Sequence, residues 1–215
     1  MKLISKYFFL VLLVTIFHLM SFKPENQLLT IDYFGEISLP DQMEIQGGSY
    51  KEGNDSYSRN IIGNLENHQS LVFQQKGLNS LEKNSFNTYA RVVIDTYFGE
   101  KGKYKLLSET NNLDQIDINN YNNNFEIQVN TIWPKAKIQL VSSTETLITK
   151  IGNFYCTKHN YIRQMENSKP VFVEVYRVQN NDRVHLISFS YRSTEIIQWR
   201  TIMNKIIESI NIKKI

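Results

Sequence analysis

Two ten-residue runs of alternating side chains near the C-terminus, PVFVEVYRVQ at 170–179 and RVHLISFSYR at 183–192, constrain the fold of this chain most strongly. They flank Asn180-Asn181-Asp182, and alternation on both sides of a short polar turn predicts an antiparallel β-hairpin. In the second run His185, Ile187, Phe189 and Tyr191 share one face, while Val184, Leu186, Ser188 and Ser190 share the other. A helix is predicted next, with Ser193 or Thr194 as its cap and Glu195 at the positive end of its dipole. Ile196, Trp199, Met203, Ile206 and Ile210 recur at helical spacing, and a stripe of that kind must lie on the sheet.

Upstream, further strands are expected at 35–39 (GEISL, closed by Pro40-Asp41), 70–74 (SLVFQ) and 91–98 (RVVIDTYF). In the last of these Val92, Ile94, Thr96 and Phe98 share a face, opposite Arg91, Val93, Asp95 and Tyr97. Candidate strands follow at 137–142, 146–151 and 154–163. Residues 47–60 read as a surface loop and Gly99 to Lys103 as a turn. Between 110 and 130 the spacing of Leu113, Ile116, Tyr121, Phe125 and Val129 predicts a helix against the weak propensity of the Asn run. No repeat and no Pro- or Gly/Ser-rich linker divides the chain. The expected fold class is therefore α+β, an antiparallel β-sheet with helices packed on it.

The start of the chain is of a different kind. Lys2 and Lys6 precede an apolar run from Tyr7 to Met20, and polarity returns at Ser21 and Lys23. That order is the basic region and short apolar region of a secretory signal. The run falls short of the ~20 residues that span a bilayer comfortably. The reading is a signal segment at 1–22, a short linker or leading strand at 23–34, and a single α+β domain at 35–215. An uncleaved segment would instead anchor the protein and associate it with the membrane. No Cys ends the run to carry a lipid, and the single Cys156 cannot form an intramolecular disulfide. The formal charge of +3 falls to +1 without Lys2 and Lys6, far from the excess of a nucleic-acid binder, so nucleic acid is not an expected partner.

Several segments together have a known likeness. Ile37-Ser38-Leu39-Pro40-Asp41-Gln42-Met43, the Gly152-Asn153-Phe154 turn, the long hairpin and the closing Ile206-Ile207-Glu208-Ser209-Ile210 resemble the PsbP-like class of small α/β/α sandwich domains. Gln74-Gln75-Lys76-Gly77-Leu78-Asn79 and Thr96-Tyr97-Phe98-Gly99 resemble segments of exported bacterial proteins of uncharacterised function. The likeness spans about residues 33–213, and its motifs are mostly fold-forming. It implies a sandwich fold and a binding or assembly role without a shared catalytic set; no functional residue is carried over from the photosynthetic members, which assist a membrane complex.

No GxSxG elbow, Walker loop or GxGxxG occurs. Cys156 and His159 are the obvious nucleophile and base, but three residues apart on a strand they face opposite ways. Cys156 is expected to be buried and inert, and His159 half-exposed. The histidines show no metal-ligand spacing; Glu66 with His68 is only a pair, and the Asn-rich stretch from Asp117 has Tyr121 and Asn122 where a calcium loop needs a ligand and a Gly. Asp114 with Asp117, Glu166 and Glu174 read as solvated carboxylates. Trp199 reads as core and Trp133 as core or pocket wall. Tyr155, Tyr161, Tyr176 and Tyr191 on adjacent strands are the one candidate binding face. No catalytic residue, metal or cofactor is expected. The chain reads as an exported, periplasmic or envelope, non-catalytic binding or assembly-assisting domain for an unknown protein or small ligand. The alternatives are an exported hydrolase with a dispersed active site and an envelope protein anchored by its N-terminal segment.

Overall fold

The structure, a computed structural model, describes residues 26–53, 67–108 and 115–215. The signal segment lies outside the described residues, as do Glu66, Asp114 and much of the loop expected at 47–60. The hairpin forms as predicted. Strand β9 (Val171–Asn180) pairs with β10 (Arg183–Arg192) from Asn180↔Arg183 to Val171↔Arg192. Asn181 turns the chain at φ 62, a left-handed conformation that Asn tolerates better than most residues. Its side chain accepts from the Gly102 N–H, and its backbone bridges Tyr104 in both directions at 2.8 Å, so the turn is held from outside.

Around this hairpin the other strands assemble an antiparallel sheet. Strands β3 (Met43–Ile45), β4 (His68–Gln75) and β5 (Ala90–Phe98) extend it beyond β10. On the other side β9 pairs with the long β8 (Phe154–Met165). The outer edge of β8 is shared by β6 (Ile138–Ser143) along its second half and β7 (Leu147–Ile151) along its first. A smaller sheet is made by β1 (Gln27–Ile31), β2 (Gly35–Leu39) and β11 (Asn211–Ile212). Gly35 and Gly152 lie at positive φ where a Cβ would meet the backbone of Asn211 and Ile210, so only glycine lets the chain end pack here.

Two helices complete three layers. Helix α1 (Gln115–Ile127) sits on one face of the large sheet through Tyr121 and Phe125, and contact with the sheet explains how an Asn-rich segment stays helical. Helix α2 (Ile196–Ser209) packs on the opposite face beside the small sheet. Between α2 and the large sheet lies the core: Trp199, Met203 and Ile206 meet Phe73, Val92, Ile94, Cys156, Tyr176, Ile187 and Phe189, with Phe34, Ile37 and Ile212 from the small sheet. The fold is α+β, antiparallel, with helices on both faces.

Local details differ from expectation. Residues 48–53 are helical, with Lys51 N–H donating to Gly47 C=O at 3.2 Å. Neither Ser193 nor Thr194 caps α2. Instead a 3-10 turn (Ser193–Glu195) leads in, and Ser193 Oγ is buried without a partner. The Glu195 carboxylate turns from the helix to accept from Thr88 Oγ1 at 2.6 Å, Tyr89 N–H at 3.2 Å and Arg192 at 3.1 Å. That stitch pulls the first turn away from the sheet, which leaves Ile196 39% exposed and outside the buried stripe.

Candidate functional site

Strand alternation sorts the side chains of the large sheet into two sets. On the α2 side β8 presents Phe154, Cys156, Lys158 and Asn160, and β9 presents Phe172, Glu174, Tyr176 and Val178. On the α1 side β8 presents Tyr155, Thr157, His159, Tyr161 and Arg163, and β9 Val171, Val173, Val175 and Arg177. The four tyrosines expected on one face therefore divide: Tyr176 and Tyr191 lie on the α2 side, Tyr155 and Tyr161 on the α1 side. Cys156 and His159 are on opposite faces, as alternation requires.

The α2 side holds a cleft of about 440 Å³ near the exposed first turn of α2, lined by Lys158, Glu174, Tyr176, Tyr191, Arg200 and Met203 among others. Its central charges satisfy one another. Lys158 Nζ lies 2.7 Å from Glu174 Oε2, and Tyr176 donates its hydroxyl to Glu174 Oε1 at 2.6 Å. Glu174 is thus a bonded carboxylate rather than the solvated one expected, and burial together with that hydrogen bond raises the Tyr176 hydroxyl. Glu166, by contrast, makes an exposed ion pair with Lys137. Cys156 lies deeper. It is fully buried, with Sγ 3.7 Å from Thr149 O, and burial pushes its thiol up to about 12 despite the opposing charge of Lys158. Such a thiol is a poor nucleophile at neutral pH.

On the α1 side the chain builds a more open cleft of about 660 Å³, lined by Phe125, Ser143, Thr146 and His159 and by the carboxylates Glu126 and Glu145, with Asn122 and Leu140. It exists because β6 and β7 are separate strands on one edge of β8, and the gap between them at 144–146 falls opposite His159. Thr144 bridges the gap, its N–H donating to Asn160 C=O at 2.9 Å. His159 is 4% exposed, not half-exposed, since α1 closes over it: its ring meets Phe125 at 4.7 Å, Tyr121 at 5.6 Å and Tyr161 at 5.9 Å. Trp133 extends the aromatic wall against Phe125 and Tyr161.

Each nitrogen of His159 faces a hydroxyl, Nδ1 with Thr146 Oγ1 at 3.4 Å and Nε2 with Ser143 Oγ at 3.5 Å. Among the described residues no carboxylate hydrogen-bonds the ring. Burial lowers its pKa, which favours the neutral imidazole. The cleft therefore offers aromatic faces and hydroxyl, amide and imidazole groups suited to recognition. Its histidine stands between the two hydroxyls, and Thr146 in turn donates to Asn122 Oδ1 at 3.1 Å.

The other titratable candidates stand apart. His68 pairs with Asp95 at 3.1 Å. His185 is fully buried, with Nδ1 2.9 Å from Thr96 Oγ1. The stretch from Asp117 runs inside α1 and forms no calcium loop. Trp199 is core, donating from Nε1 to Thr88 Oγ1 at 2.8 Å. Sequence reasoning missed Ser143 and Thr146, whose only signal was the break between two candidate strands.

No family model matches the chain, and no curated protein does. Solved structures are similar to it at low identity. One is the crystal structure of a Bacteroides thetaiotaomicron protein, 9% identical with a TM-score of 0.47, matched over 88% of this chain and 49% of that one. This chain thus spans about half the length of that protein. Another is the solution structure of the cyanobacterial PsbP of Synechocystis, a member of the class the sequence resembles: 10% identity, TM-score 0.49, and 90% and 96% of the two chains. A third is LpqN, a Mycobacterium tuberculosis protein involved in cell envelope biogenesis, at 10% identity and a TM-score of 0.39 over 90% and 87%.

Proposed function

We propose that this chain is an exported, non-catalytic binding domain of a bacterial envelope, which takes a small ligand or a protein segment in the cleft beside His159. The observation that carries the reading is the setting of that imidazole: walled by aromatic rings beside an open cleft and, among the described residues, hydrogen-bonded by no carboxylate. An imidazole placed in this way hydrogen-bonds a ligand, while its separations of 3.4 and 3.5 Å from the two hydroxyls exceed the about 3.2 Å reach of a working base and nucleophile. The basic and apolar start of the sequence supports export.

The test is to isolate the protein from its own envelope and examine it by native mass spectrometry. The expected result is a retained adduct that disappears in Ser143→Trp, a change at an exposed position that fills the cleft. An adduct indifferent to that substitution would place the ligand elsewhere. The rival reading, a hydrolase, draws on Ser143 Oγ lying 3.5 Å from His159 Nε2. A fluorophosphonate reagent should leave Ser143 unlabelled; labelling that is lost in His159→Phe would establish the hydrolase instead.

A further inference from the structure

Two arginines on the α1 face of the sheet have no ion-pair partner among the described residues. Arg91 on β5 donates from Nη2 to Tyr50 OH at 2.8 Å, and its Nε is buried with no partner. Its guanidinium also lies 5.5 Å from the centre of the Tyr89 ring and 5.8 Å from that of Tyr50. From β8, Arg163 lines one cavity with Tyr89, whose hydroxyl lies 3.4 Å from Ser190 Oγ. The ion pairs among the described residues are His68–Asp95, Lys137–Glu166, Lys158–Glu174, Asp182–Arg183 and Arg192–Glu195. None uses Arg91 or Arg163.

The strand order explains how these residues meet. Register runs Arg163↔Val171↔Arg192 across β8, β9 and β10, and Tyr89 N–H and C=O lie at the end of that row, where Arg192 N–H donates to Tyr89 C=O. The row opens into a cavity of about 230 Å³ lined by Tyr89, Ile138, Arg163, Met165, Val171 and Arg192, with Ser168 and Lys169 at its rim. It has three cationic side chains and no carboxylate. Arg192 is paired with Glu195, but among the described residues Arg163 and Lys169 have no such partner. A guanidinium cannot lose its proton to relieve burial, so a partly desolvated arginine without a counterion is stabilised by any anion that reaches it. The Tyr89 hydroxyl is subject to the same charges: burial pushes it up, yet Arg163 and Arg91, with the hydrogen bond to Ser190, bring it below its ordinary value.

We propose that this cavity binds a small organic anion, its carboxylate or phosphate oxygens held by Arg163 and the Tyr89 hydroxyl and its apolar body laid against Ile138, Met165 and Val171. The planar guanidinium suits a two-oxygen head, to which it donates two parallel hydrogen bonds. The volume, below the ~300–1,000 Å³ of drug-sized sites, limits the body to a short chain. The site does not depend on the His159 cleft.

Isothermal titration calorimetry of the purified protein with octanoate tests the proposal. Octanoate should bind saturably, weaken as salt is raised, and bind at least tenfold more tightly than acetate, which lacks the body, or octan-1-ol, which lacks the charge. Octyl phosphate distinguishes the two anionic heads, and either preference fits. Arg163→Met should reduce affinity at least tenfold, Arg163→Lys less, and His159→Phe not at all. Met165→Trp, at an exposed position, should block the cavity and decides the matter if Arg163→Met fails to fold. Absence of saturable binding, equal affinity for octan-1-ol, or octanoate affinity unchanged by Met165→Trp would overturn it.

Discussion

His185 shows most plainly what burial does to a single side chain. It is fully buried with Nε2 unpartnered, and the edge of its ring meets Phe34 at 5.2 Å. Desolvation, aided by the charge of Arg183, pushes its pKa down to about 4. The unfolded chain therefore takes up a proton before the folded one does. Its contribution to stability is complete above about pH 6.5 and is lost as pH falls toward 4. Between pH 7.5 and 5 the parent protein should lose about 2 kcal/mol that His185→Gln does not. Urea unfolding of both proteins at the two pH values measures this, and equal losses would contradict it. Cys156 answers to the same physics with the opposite proton sign, as burial holds it in the neutral thiol form. Alkylation by iodoacetamide at pH 7.5 should be slow in the folded protein and fast in urea; rapid native labelling would show a thiol that is neither buried nor raised. Alternation alone already separated Cys156 from His159. The closure of α1 over His159 was not legible, because nothing in a strand pattern says which helix will lie on it.

At the scale of elements, α2 carries the most specific expectation. Met203 is 2% exposed in the stripe with Trp199 and Ile206, whereas Ile197 is 93% exposed one helical face away. Met203→Asp buries an unpaired charge and should cost several kcal/mol or unfold the domain; Ile197→Lys should change stability by less than about 0.5 kcal/mol. Thermal melts of the two variants compare them directly, and similar shifts would mean that α2 does not dock by this face. The hairpin, β5 and α2 were readable because their periods of two and near 3.6 are long and unbroken. The two-residue β11 was not, being too short to show a period. Ile196 fits the helical spacing of the stripe yet lies outside the core, since the bond from Glu195 to Thr88, between residues 107 apart, sets the entry angle of the helix. A local pattern holds no record of such a tie.

For the whole molecule, strand order determines which chemistry gathers where. Alternation set Arg91 apart from the core-facing side chains of its strand, but only the order β5-β10-β9-β8 brings Arg163 into a row that ends at Tyr89, two residues before Arg91. Alternation along those strands puts Tyr176 and Tyr191 in the cleft under α2 and Tyr161 in the aromatic wall under α1, with Tyr155 on the same face as Tyr161. The proposed binding rests on the α1 face, where the His159 cleft and the Arg163 cavity lie. A photo-crosslinking amino acid, introduced at Ser143 and separately at Ile197 in the protein's own cells, tests this most directly. The account predicts a light-dependent adduct at Ser143 and none at Ile197; adducts at Ile197 alone, at both positions alike, or at neither would contradict it.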